Sequence, residues 1–227
     1  MPLFSLIDLL ALLFFLCAWA FYGVALSYTE RRKRGLNQQM DGYRDDWMTQ
    51  MLGREMRMVD AQIVAALQNG TAFFASTSLI AVGGALTLLR STPELLQVMS
   101  ALPFGDNSTA VQWEAKSIGL AVVFVYAFFK FAWAYRLYNY LAIMVGATPP
   151  SSEKDSAAAK AHAARLGRLC EVAGRHFNRG QRAFFFALGY LGWFISPWLL
   201  MATSVIVAII LWRRQFASDS RSAVIDG

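Results

Sequence analysis

Lys130 is the residue of this 227-residue chain that is hardest to reconcile with inert packing. It lies twelve residues into the apolar run 118–145. At 1.5 Å per residue that is about 18 Å from one face of a bilayer with ~30 Å of hydrocarbon, and about 12 Å from the other. An ammonium facing lipid at that depth costs several kcal/mol, so it must meet protein, water or headgroups. Two chemistries fit. Lys130 lines an internal aqueous path, where it attracts an anionic solute, or it snorkels along Phe129 and Trp133 to the lipid headgroups. Asn69, Thr71, Cys17 and Tyr190 fall at the same height in the other apolar runs, and none is an acid. Asp8 and Asp60 fall at opposite ends, which leaves Lys130 without an expected carboxylate partner.

Other polar residues extend the candidate binding set of Lys130, Asn69, Thr71, Arg136, Asn178 and Arg182. Arg136 sits about 27 Å from the outer boundary by the same rise per residue, which suits a headgroup anchor. Asn178, Arg179, Gln181 and Arg182 precede the last apolar run, where amides and guanidinium groups can orient phosphate or carboxylate; basic anchors are also expected there. Gln68, Asn69, Ser76, Thr77 and Ser78 make the second run unusually polar, and Ala72 with Ser76 forms a small-xxx-small pair suited to close helix packing. No convergent set of acids, bases or nucleophiles follows, so the chain reads as no enzyme. His162 and His176 are fourteen residues apart without Cys or acidic companions at metal spacing, which predicts neither metal nor cofactor. The triplet Asn107, Ser108 and Thr109 matches a glycosylation signal by accident of length.

The elements that must position these residues are four apolar runs, 3–28, 63–89, 118–145 and 184–212. Each is long enough to cross a bilayer as a helix. A hydrophobic fraction of 56% and a mean hydropathy of +0.39 agree. The expected fold is all-α, a polytopic membrane protein forming one membrane domain with amphipathic helical extensions at 37–62 and 157–183 and a tail over 213–227. Segments 30–62 and 146–183 hold fourteen of the 21 Lys and Arg residues, the connection 90–117 only Arg90 and Lys116. The positive-inside rule therefore puts the first two in the cytoplasm and both termini in the periplasm. Arg213, Arg214 and Arg221 dissent, because this topology would translocate them.

Residues 1–7 carry no side-chain charge and the basic cluster 31–34 follows the first run, a pattern of a retained anchor rather than a cleaved signal. The net charge of +6 has the same membrane origin and implies no nucleic-acid partner. Cys17 and Cys170 lack a C-x-x-C pattern and read as free thiols. Trp19, Tyr22, Tyr28, Trp133, Tyr135 and Tyr138 would form the inner aromatic belt, Trp113 and Trp212 the outer one.

Met40, Tyr43, Trp47, Met51, Met58 and Ile63 recur at helical spacing, and no proline falls between Gly35 and Arg90. The pattern predicts one long helix running into the second span. Leu166, Leu169, Cys170, Ala173 and Phe177 mark a second amphipathic helix. The two either pack together as a cytoplasmic crown or lie on the inner leaflet, and the balanced charge of the first favours packing. The connection containing Pro93, Pro103, Gly105, Asp106 and Asn107 reads as a turn-rich cap.

Several ordered motifs share one resemblance: RDDWMTQMLGREMRMVD over 44–60, FFAST over 73–77, VYAFFKFAWAYRLYN over 125–139, HFNRGQRAFFFAL over 176–188 and WFISP over 193–197. In these the chain resembles the bacterial domain-of-unknown-function family numbered five-nine-nine. The resemblance implies a four-helix protein of the bacterial inner membrane and carries over no catalytic residue. Two classes of function stay open. A homo-oligomeric conduit or small transporter would use the polar groups at membrane depth, with an anionic solute or lipid headgroups as partner. A non-catalytic accessory or assembly subunit would use the helical extensions and small-residue faces.

Overall fold

Apolar runs longer than a bilayer is thick satisfy their backbone polar groups internally, as helices, and the chain folds accordingly. The computed structural model describes residues 3–32, 35–93 and 109–225. Among these there is no strand, and the long elements are α1 Leu6–Arg32, α2 Leu36–Met51, α3 Met58–Arg90, α4 Ala110–Gly146, α5 Ala157–Tyr190, α6 Pro197–Phe216 and α7 Asp219–Ile225. Four stretches are long and apolar enough to cross a membrane: Leu6–Leu26, Met58–Arg90, Ala110–Gly146 and Pro197–Val224. Pro103, Gly105, Asp106, Asn107 and Ser108, like Lys33 and Arg34, lie outside the described residues. Thr109 starts α4 with a capping box closed by Gln112, which satisfies two N-terminal amides.

α3, α4 and α5 form an antiparallel row. Gln68 donates to the Asn139 side chain at 2.6 Å across α3 and α4, and Phe74 stacks on Phe131 at 5.4 Å between ring centres. α5 follows α4 from the His162 contact with the Met144 carbonyl, 3.0 Å, to the Trp113 edge on Phe194, 4.9 Å. Midway, a Cβ on Gly180 would meet the Phe131 ring at 2.7 Å, so only glycine admits this approach.

The expected fourth span over 184–212 is corrected by this arrangement. α5 absorbs its first residues, the chain turns at Leu191–Phe194, and α6 runs back. Ser196 accepts the Leu199 amide at 3.1 Å and Pro197 opens the first turn, a helix start placed inside the apolar run. Gly192 lets the two arms close, since a Cβ there would meet Thr203 Oγ1 at 2.9 Å and the Leu199 carbonyl at 3.0 Å. The Thr203 hydroxyl then donates to the Gly189 carbonyl at 2.7 Å.

α6 consequently lies parallel to α1. At one end, called upper here, the Trp193 indole donates to Asp8 at 2.8 Å. At the lower end Gln215 packs on Gly35, and Arg214 reaches Gln181 at 3.4 Å. The start of α1 and the end of α6 thus lie at opposite ends of the bundle, contrary to the expectation that both termini share a face. Trp212, expected in the outer belt, meets Tyr22 of the expected inner belt at 6.5 Å.

The single helix expected through 37–62 is also corrected, because α2 stops at Met51 and α3 begins at Met58. Charge satisfaction explains the break. Buried Asp60, in the first turn of α3, accepts from the Trp47 indole at 2.7 Å and pairs with Arg54. Arg57 donates to the carbonyls of Thr148, at 2.9 Å, and Pro149. The turn folds α2 onto the first half of α5, where Met48, Met51, Leu141, Leu166 and Cys170 form a second core. The main core, built on Phe15, Phe186, Tyr190 and Trp193, lies between α1, α4, α5 and α6.

Candidate lateral groove with a basic mouth

Turning α6 back beside α1 leaves α1 and α4 flanking a groove floored by α5. Its upper stretch, a cavity of about 410 Å³, is lined by Phe4, Leu12, Phe15, Gly119, Val122, Tyr190 and Trp193 among others, and contains no charged side chain. The lower stretch, about 600 Å³, adds Arg179 and Arg182 from α5 to Ala20, Gly23 and Val24 of α1. Leu16, Trp19 and Tyr126 line both stretches, which therefore adjoin. Tyr126 also lines a third hollow of about 400 Å³, with Phe129, Lys130, Trp133 and His176. Tyr126 is the wall shared by all three.

Helical spacing explains the cluster. Arg179 and Arg182, three apart on α5, point the same way, and Tyr126 and Lys130 are four apart on α4. The Lys130 ammonium lies over the Tyr126 ring at 5.1 Å from its centre, a cation–π contact that supplies part of its solvation. Neither Lys130 nor Arg179 has a carboxylate partner among the described residues. Such a surface can take an anion. Guanidinium groups match phosphate and carboxylate oxygens in pairs, and an ammonium adds a point charge.

The upper end is closed by a buried polar set that inspection of single residues overlooks. Asp8 is 8% exposed and Lys116 1%, and the Lys116 ammonium lies 5.5 Å from the centre of the Trp193 ring. Ser5 donates to the second Asp8 oxygen at 2.6 Å. These contacts tie the start of α1 to the α5–α6 turn and so fix the width of the groove.

The six expected binding residues do not converge. Thr71 is buried on α3 and returns its hydroxyl to the Leu67 carbonyl at 2.7 Å, a packing role. Asn69 is exposed on the free face of α3. Arg136 donates to the Tyr140 hydroxyl at 2.7 Å on the surface of α4. Asn178 and Arg182 share a small cleft of about 60 Å³ with Gln181, Arg214 and Gln215. Only Arg182 and Lys130 border the groove and its side hollow. Trp19, Tyr126 and Arg179 were the partners not in that set, and the i, i+3 pairing of Arg179 with Arg182 was the signal that could have found one of them. Among the described residues no group of three His, Cys, Asp or Glu side chains could hold a metal ion.

Fold and groove define an all-helical protein with four helices fit to cross a membrane and a cationic, aromatic-lined cleft on its flank. The chain belongs to the family described as "Protein of unknown function, DUF599", whose model matches residues 10–220. Neither a curated protein nor a solved structure matches it.

Proposed function

We propose that this is a non-catalytic protein of the bacterial inner membrane that takes up an anionic solute at the basic mouth of the groove and moves it, as a conduit or small transporter. The observation that carries the reading is the grouping of Lys130, Arg179 and Arg182 around Tyr126 on one flank. A charge at membrane depth is by default functional.

The same reading orients the molecule. The basic residues of α2, of the α2–α3 turn, of the first half of α5 and of the end of α6 lie toward the lower end. Among the described residues Arg90 and Lys116 represent the upper end. By the positive-inside rule the lower end is cytoplasmic. Arg213 and Arg214 then cease to dissent, and the end of α6 is cytoplasmic while the start of α1 is periplasmic, so that the second half of α5 crosses in addition to the four apolar helices. The assembly is a homo-oligomer with α3 at the interface, where exposed Asn69 would find a hydrogen-bond partner and open Gly70, Gly83 and Gly84 allow close approach.

Calorimetric titration of the purified full-length protein with inorganic pyrophosphate tests the site. Wild type is expected to bind and Lys130→Met to bind severalfold more weakly at unchanged melting temperature, because Met keeps most of the apolar stem and removes the charge. Absence of binding by wild type, or equal binding by both, contradicts the reading.

A further inference from the structure

The basic mouth occupies only the lower part of a groove whose remainder is apolar, and a small free anion would leave that remainder unused. Resting on the anion-site reading above, we propose that the occupant is an anionic phospholipid of the cytoplasmic leaflet. Its phosphate lies against Arg179 and Arg182, and one acyl chain runs up the groove past Val122 towards Trp193.

Three observations carry this. First, the charged and apolar stretches adjoin along one flank, with Leu16, Trp19 and Tyr126 lining both. Charge complementarity therefore specifies the head, and the adjoining apolar stretch specifies a tail attached to it. Second, the stretch is long enough to hold a tail. From Leu6, the first residue of α1, to Trp19 is about 20 Å at 1.5 Å per residue, within the ~30 Å hydrocarbon core. Third, the groove opens sideways, with Leu16 48% and Val122 61% exposed on its rims. A lipid can enter by diffusion within the leaflet, whereas a soluble anion must leave water to reach the upper stretch. The floor is rigid and aromatic, with Tyr190 and Trp193 buried at 3% and 2% exposure. A chain lying on it buries apolar area without reshaping the protein.

The test is native mass spectrometry of the full-length protein released from vesicles of equal parts phosphatidylglycerol and phosphatidylcholine, with pyrophosphate titration run in parallel. Wild type should retain phosphatidylglycerol over phosphatidylcholine by on the order of tenfold, a difference of about 1.4 kcal/mol. The double variant Arg179→Gln, Arg182→Gln should lose that preference. Val122→Trp, which fills the apolar stretch from its exposed rim, should lose phospholipid while keeping pyrophosphate binding. Melting temperatures within a few degrees of wild type identify folded variants, and Leu16→Trp is the second groove-filling variant should Val122→Trp fail that criterion. Equal retention of the two lipids, or phosphatidylglycerol retention unchanged in the double variant, overturns the lipid inference. If pyrophosphate still binds in that case, the anion-site reading stands alone. If neither ligand binds, both readings fall. A protein–protein contact in the groove would appear as a higher-order mass that excludes lipid, and that too overturns the proposal.

Discussion

Asp8 illustrates how one side chain sets the shape of a distant surface. Its carboxylate accepts the Trp193 indole at 2.8 Å in a buried setting, so the bond holds the start of α1 against the α5–α6 turn. Removing the acceptor leaves a buried N–H unsatisfied, a cost of about 1–3 kcal/mol. Asp8→Ala is therefore expected to lower the melting temperature by several degrees and to weaken anion binding at the far end of the groove. Asp8→Asn, which retains an acceptor oxygen, should recover most of both. A melting curve for Asp8→Ala that superimposes on wild type would remove this bond from the account. Lys130 is a different case. Its want of a carboxylate partner was legible in residue types alone. Its position over Tyr126 was not, because i, i+4 spacing on α4 matters only once that face is known to border the groove.

Two elements show what a linear pattern conveys and where it misleads. Hydrophobic runs located three of the four helices fit to cross a membrane, because length and polarity alone decide whether a helix can sit in hydrocarbon. The fourth run hid a turn, since Ser196 and Pro197 are an N-cap and first-turn pair surrounded by residues apolar enough to mask it. In α2 the helical periodicity was real, but buried Asp60 recruited Trp47 and Arg54 and ended the helix early. The docking of α2 on α5 carries a pH signature. Burial, above all, raises Asp41 from its ordinary value of 3.8 despite the Arg44 cation beside it, and burial followed by repulsion from Glu171 and Asp46 raises Asp45. An acid whose folded pKa is raised favours the fold when protonated. Its contribution is fully present below 3.8 and is lost as pH rises through the folded value. The α2–α5 contact should therefore tighten as pH falls through the folded value toward 3.8, slowing hydrogen exchange around Met48 and Met51. Asp41→Asn should flatten that dependence. Exchange that quickens over the same interval would contradict the assignment.

At the scale of the whole molecule, a groove exists because α6 doubles back and brings α1 to the flank of α5 without closing it against α4. No local pattern encodes that vacancy, which depends on a turn, a buried acid at its upper end and two arginines on its floor. The account makes this flank a route for anions, selected by its cationic side chains. The most direct measurement is anion uptake into proteoliposomes reconstituted with the full-length protein, compared with the double variant Arg179→Gln, Arg182→Gln at matched incorporation. The account predicts uptake of an anionic solute above protein-free vesicles, little uptake of a cation of similar size, and a loss of at least severalfold in the double variant. Uptake no greater than in empty vesicles, or anion uptake undiminished in the double variant, would contradict it.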